Sequence, residues 1–109
     1  MARKRIKISN NEGIITLEEA FSNFIRKSNV KNLSSETIKT YRYTIEVFFE
    51  FAGDSNLVSE ITRDTIDDYI IWLKEHKEIK DTTIVAYIRH LRAYLYFCMD
   101  SGYVKKFRI

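Results

Sequence analysis

Apolar residues recur at intervals of three and four positions along most of this chain, a spacing typical of amphipathic helices. In the first half the spacing predicts a helix, A, that begins after Thr16 and fades near Lys27. It predicts a second helix, B, that begins at Ser34 or Ser35 and runs to Ala52. Serine and threonine are favoured just before a helix because their hydroxyl oxygens accept hydrogen bonds from its free N–H groups. The first half is therefore predicted to be a helical hairpin.

The second half of the chain follows the same order. Thr62 precedes a third predicted helix, C, which ends in the charged stretch 74–80. A fourth helix, D, begins at Asp81 or Thr82 and is ended by Gly102. The chain has no proline and only three glycines, so it offers few positions that break helices. We therefore predict an all-α fold, a four-helix bundle built from two hairpins.

The two halves match in sequence at an offset of 46 positions. Residues 37–41 (Thr-Ile-Lys-Thr-Tyr) return as 83–87 (Thr-Ile-Val-Ala-Tyr), and the Ile-Thr pair at 15–16 returns at 61–62. A repeat of this length is one unit that cannot bury its own apolar face, so two copies must pack together. We predict that an approximate two-fold axis relates the hairpins. Chance similarity between two helical hairpins is the open alternative.

Size and composition indicate one globular domain. The 109 residues are 45% hydrophobic and 30% charged, which is ordinary for a folded domain of this size. No apolar run approaches the roughly 18 residues that a membrane helix needs. The single cysteine, Cys98, excludes an internal disulfide. We expect a cytoplasmic protein that does not interact with membranes.

Patterns for catalysis or metal binding are missing from the sequence. There is no glycine-rich phosphate loop, no histidine pair at helical spacing and no cysteine cluster. His76 lies in a charged stretch, and His90 is predicted on an outward helical face. We therefore expect no catalytic residue, no metal and no cofactor.

Basic and hydroxyl residues are concentrated at the N-terminal tail and at the starts of helices B and D. The net charge is +3, and four of the first seven residues are basic. Residues 1–14 are predicted to be a flexible basic arm, with a solubilising tail as the alternative. At the two helix starts, free N–H groups, hydroxyls and cations together make a phosphate site, unless the hydroxyls are only caps. The candidate DNA-binding residues are Ser35, Thr37, Lys39, Arg42, Tyr43, Lys80, Thr82, Thr83, Arg89 and His90.

Several motifs, in their order and spacing, resemble the N-terminal core-binding domain of tyrosine recombinases, the phage integrase family. They are Thr-Leu-Glu-Glu-Ala-Phe at 16–21, Leu-Ser-x-x-Thr-Ile-x-x-Tyr at 33–41, Glu-Ile-Thr-x-Asp-x-Ile at 60–66 and Ser-Gly-Tyr at 101–103. The resemblance covers residues 15–103 and implies a SAM-like orthogonal bundle. Lys80 stands where the family often has serine, so we expect the cap of helix D to move to Asp81.

The resemblance also implies a function. In that family this domain clamps the core-site duplex for DNA integration and recombination, and a separate C-terminal domain cleaves the DNA. We therefore expect a non-enzymatic DNA-binding domain from a mobile genetic element, with residues 104–109 starting the linker to the catalytic domain. The implied partners are the double-stranded core site, the catalytic domain of the same parent chain and other recombinase protomers on the DNA. The alternative is a helical protein–protein interaction module with its contact surface around Trp72 and Tyr96.

Overall fold

Four α-helices account for most of residues 14–109, the part of the chain that the computed structural model describes. The predicted basic arm lies outside the described residues except for Ile14. The described part contains no regular strand, which confirms the all-α prediction. The helices are α1 (Leu17–Val30), α2 (Ser35–Ala52), α3 (Arg63–Trp72) and α4 (Asp81–Asp100).

The starts of the first two helices follow the predicted capping residues. The hydroxyl oxygen of Thr16 accepts a hydrogen bond from the Glu19 N–H at 3.1 Å, and the Glu19 carboxylate accepts one from the Thr16 N–H at 3.0 Å. Together these two bonds form a capping box. The hydroxyl oxygen of Ser34 accepts a hydrogen bond from the Thr37 N–H at 3.1 Å. Because both caps satisfy helix N–H groups, these local signals determine where α1 and α2 begin.

The 46-residue offset reappears in the structure. Helices α1 and α3 begin 46 residues apart, as do α2 and α4. The hydroxyl of Thr44 lies 3.1 Å from Nδ1 of His90, and these two residues are also 46 apart. A contact between equivalent residues of two copies must lie close to the axis that relates them. The predicted two-fold relation is therefore supported where α2 meets α4.

Equivalent positions of the two repeats match less well in α1 and α3. Ile25 is buried in α1, whereas its counterpart Ile71 is 53% exposed. The buried positions Ile66, Tyr69 and Leu73 define the inner face of α3, and at 3.6 residues per turn Ile71 points away from it. The Ile25–Ile71 identity therefore reflects no shared packing.

The core lies between all four helices, with α2 and α4 forming the most extensive packing between any two of them. Several of its aromatic rings meet edge to face, an arrangement that is favourable beyond the area it buries. The Phe48 ring of α2 lies 5.0 Å from the Tyr69 ring of α3, and Phe21 of α1 lies 5.6 Å from Tyr94 of α4. These contacts hold the four helices in one body and so fix the outward faces of α2 and α4.

The C-terminal segment packs on the domain instead of leaving it. Val104 is buried, and the Ile109 N–H donates a hydrogen bond to Oη of Tyr96 at 3.1 Å. The Arg63 guanidinium donates one to the backbone carbonyl of Arg108 at 3.0 Å. The packed unit therefore extends past the predicted boundary before Val104, because apolar side chains in this segment add to the core.

Two fully buried tyrosines differ in one hydrogen bond and give a matched pair of mutations. Tyr94 Oη donates to the Leu17 carbonyl at 2.7 Å, whereas Tyr69 Oη has no partner within residues 14–109. We expect Tyr94→Phe to lower the free energy of unfolding by about 1–2 kcal/mol and Tyr69→Phe to leave it unchanged or raise it. Urea unfolding of both variants measures the difference. Equal losses would contradict the hydrogen-bond assignment.

Candidate nucleic-acid interface

The outward faces of α2 and α4 adjoin at their N-terminal halves. The Tyr43 and Tyr87 rings lie 6.2 Å apart, and the Tyr41 ring lies 5.9 Å from the His90 ring. Together with the Thr44–His90 contact, these ring contacts join the two helices about nine residues from each start. At 1.5 Å per residue, each helix start lies about 13 Å along its axis from this contact. The exposed side chains in the first half of α2 and in residues 80–92 form the candidate surface.

The ten candidate residues differ in exposure. Thr37, Thr83 and His90 are half-buried, and the other seven are exposed. Those seven are Ser35, Lys39, Arg42, Tyr43, Lys80, Thr82 and Arg89.

At the start of α2, the Thr37 hydroxyl is part of the cap. It lies 2.9 Å from the Ser34 hydroxyl, which also accepts the Thr37 N–H. Lys39 is only loosely paired, with its Nζ 3.9 Å from a carboxylate oxygen of Glu36, and both side chains are largely exposed. Exposed pairs of this kind contribute little, so Lys39 is available for an anion.

The cap of α4 is not at Asp81, where the sequence analysis predicts it. The capping position is Lys80 itself, which makes no side-chain cap, and Asp81 is the first helical residue. Lysine has no acceptor atom and therefore cannot accept from the helix N–H groups. The cap has not moved to Asp81, and the first N–H groups of α4 are left without a side-chain acceptor.

His90 does not lie on the outward face where the sequence analysis placed it. Its ring contacts the buried Thr44 and packs against Tyr41, because α2 crosses α4 at this position. Burial, and secondarily the charge of Arg89, lowers the pKa of His90 below its ordinary value of 6.5. The neutral ring therefore adds no charge to the surface at neutral pH. The contacts of the neutral His90 ring stabilise the folded domain above pH 6.5. This stabilisation is lost as the pH falls through the lowered pKa, because the ring then becomes charged.

The cations of this surface include one that sequence reasoning missed. Arg92 is exposed and lies three residues after Arg89 in α4, so both project from the same side of the helix. The three-residue spacing between Arg89 and Arg92 can be read from the sequence and places both on one side of the helix. With Lys39 and Arg42 of α2 and Lys80 at the start of α4, the surface carries five exposed cations. Ala93, four residues after Arg89, packs against the core.

The second half of α2 is acidic. Glu46 and Glu50 are exposed there, and Glu50 pairs with Lys77 at 3.1 Å. On α2 the positive charge is therefore confined to the first half of the helix, whereas along α4 it runs from Lys80 to Arg92.

The rival contact surface is engaged within the domain. Trp72 is half-buried and stacks between Tyr69 and His76, with ring centroids 6.1 Å and 5.7 Å away. Tyr96 accepts the hydrogen bond from Ile109. These contacts give both aromatic residues a structural role.

The described residues offer no group of His, Cys, Asp or Glu side chains that could hold a metal ion. None of the helices between residues 14 and 109 has the length and apolar character needed to cross a bilayer.

The sequence that forms these four helices was compared with models of known protein families. The family model of the phage integrase SAM-like domain matches residues 16–108, from the cap of α1 through the packed C-terminal segment. Comparisons with curated proteins and with solved structures gave no match. The family match spans all four helices and confirms both the predicted resemblance and the SAM-like fold class. The chain therefore belongs to the family of phage integrase SAM-like domains.

Proposed function

We propose that this domain binds the core-site duplex of a site-specific tyrosine recombinase and holds it without cutting it. The observation that carries the proposal is the set of five exposed cations on α2 and α4, two helices whose N-terminal halves meet at the Tyr43–Tyr87 contact. Nucleic acids are held largely through their phosphates, and exposed lysine and arginine are the residues that neutralise them. The integrase-family assignment supports the same kind of ligand.

The two helices contribute differently to the proposed contact. At α2, Lys39 and Arg42 supply charge close to a helix start whose dipole also favours an anion. At α4, the N–H groups that lack a side-chain acceptor can donate to a phosphate oxygen directly, with Thr82 exposed beside them. These contacts fix position more than they read bases, since no asparagine or glutamine lies in the first two turns of either helix.

Cleavage belongs, in this proposal, to a separate catalytic domain of the same parent chain. Several tyrosine hydroxyls within residues 14–109 are unsuited to nucleophilic attack. Burial raises the pKa of Tyr94 and Tyr69, and burial with a hydrogen bond to Tyr43 raises the pKa of Tyr87 to about 12. A higher pKa leaves less of the reactive phenolate at neutral pH. Further partners in the proposal are other recombinase protomers on the same DNA.

Arg89 provides a direct test. Its side chain is exposed on α4, so Arg89→Ala should weaken binding to duplex DNA by about tenfold. The free energy of unfolding should change by no more than about 0.5 kcal/mol, as is usual at the surface. Fluorescence anisotropy on a labelled duplex and thermal unfolding measure the two quantities.

The matched control is Lys105→Ala, an exposed cation that follows the far end of α4. It should leave affinity within about twofold, because it removes charge away from the proposed surface. Unchanged affinity in Arg89→Ala, or an equal loss in both variants, would remove Arg89 from the site.

A further inference from the structure

Val85 is an apolar residue on α4 that contributes nothing to the core. Its side chain is 59% exposed and does not belong to the apolar core, whereas the adjacent Ile84 is buried there. Valine is also a weaker helix former than alanine, leucine or lysine, because its branched side chain loses rotamer freedom in a helix. Neither packing nor helix propensity therefore explains a valine at this position.

The equivalent position of the first repeat carries a cation. Lys39 precedes Val85 by 46 residues, and each is the fifth residue of its helix and exposed. A lysine ammonium group donates to phosphate oxygens, whereas a valine side chain has no hydrogen-bonding group. The two repeats thus offer different chemistry at one equivalent position, a phosphate ligand on α2 and an apolar contact on α4.

The side chains around Val85 are complementary to DNA. Arg89 and Arg92 follow it by four and seven residues, so the three exposed side chains form one stripe along α4. At 1.5 Å per residue, the stripe is about 10 Å long. Asp81, one turn before Val85, is exposed on the same side, and its carboxylate can accept a hydrogen bond from the amino group of a base. An apolar side chain in this setting faces a ligand that presents both negative charge and apolar groups.

We propose that Val85 contacts the C5 methyl group of thymine in the major groove. This inference rests on the proposed function, DNA binding, and adds a base preference to it. The thymine methyl is the apolar group that base pairs present in the major groove, and that groove is wide enough to admit an α-helix. Arg89 and Arg92 then supply charge to the phosphates that border the groove. Because valine forms no hydrogen bond, the contact reads the methyl group alone.

Two duplexes that differ only in this methyl group test the contact. Deoxyuridine pairs with adenine as thymidine does but lacks the C5 methyl. An alternating adenine–thymine duplex offers a methyl group at every base pair, so its use requires no knowledge of the core-site sequence. The unmodified 109-residue chain should bind it about fourfold more tightly than the alternating adenine–uracil duplex, as expected for burying one methyl group. Competition fluorescence anisotropy at one low salt concentration measures the ratio.

Val85→Ala is the decisive variant. It should reduce the preference for the thymine duplex to less than about twofold, because most of the apolar surface that covers the methyl group is removed. The matched control is Ile71→Ala, which truncates another exposed branched residue, 53% exposed, on α3. This control should keep the fourfold preference. Thermal unfolding verifies that both variants are folded.

The possible failures of the two proposals differ in this experiment. Equal affinity of the unmodified chain for both duplexes would overturn the thymine contact and leave DNA binding intact. A preference that survives in Val85→Ala, or that is lost equally in Ile71→Ala, would also overturn the contact. Absence of binding to either duplex at low salt would instead overturn the proposed function, and the thymine contact with it.

Discussion

Replacing Phe48 by alanine is expected to lower the free energy of unfolding by about 3–5 kcal/mol. Phe48 is fully buried, and its ring contacts Tyr69 of α3 at 5.0 Å and Phe51 of α2 at 6.3 Å. Its removal takes away apolar burial and leaves a cavity where α2 meets α3. Because small domains are stabilised by only about 5–15 kcal/mol, this loss is a large part of the total. Urea unfolding followed by circular dichroism measures it.

Two further variants define the expected pattern. Phe48→Leu retains most of the buried volume and should cost less than half as much as the alanine variant. Tyr43→Ala, at an aromatic ring that is 61% exposed, should cost less than either. A loss below about 1 kcal/mol for Phe48→Ala would show that this ring does not hold the core as described.

Neutralising Lys39 and Arg42 together, as Lys39→Gln with Arg42→Gln, is expected to weaken duplex binding by about tenfold to a hundredfold. Each lost phosphate contact should also make the slope of log affinity against log salt shallower by about 0.9. The expected change is therefore nearly two units. Anisotropy titrations over a range of salt concentrations, on a core-site half-site and on random duplex, measure both effects.

The matched control is Lys105→Gln with Lys106→Gln, which removes the same charge from two exposed lysines that follow the C-terminal end of α4. Equal loss on both duplexes supports contact with phosphates. Loss on the half-site alone would mean that Lys39 and Arg42 read bases. Unchanged affinity on both, or an equal effect of the control, would contradict a DNA role for the start of α2.

The sequence predicted the helices well because local signals define them. Thr16 with Glu19 forms a complete capping box, and Ser34 caps α2 through an N–H three residues away. Such signals depend only on neighbouring residues. The apolar stripe of α3, with Ile66 and Tyr69 inward, follows from helical periodicity in the same way.

Features set by contacts between distant segments could not be predicted. A helical wheel shows which side of α4 His90 occupies, but it does not show that α2 crosses there and covers the ring. The segment after Tyr103 is too short for any periodicity, so its packing against the core is invisible in the sequence. The absence of a side-chain cap at Lys80 was also missed, because the expectation assumed that a neighbouring acid would replace the usual serine.

Only part of the candidate site could be predicted, for the same reason. Exposure of Lys39, Arg42 and Arg89 follows from their positions opposite the apolar stripes. That the faces of α2 and α4 adjoin depends on tertiary packing, which became clear only from the Tyr43–Tyr87 contact.

The salt dependence of duplex binding by the full chain tests the central claim most directly. With five exposed cations on phosphates, log affinity should fall linearly with log salt concentration, with a slope of about −4 to −5. The test uses a labelled duplex and the unmodified 109-residue chain, titrated at several salt concentrations. A slope in that range is the predicted result. Absence of binding at low salt, or a slope near zero as expected for an apolar protein–protein contact, would contradict it.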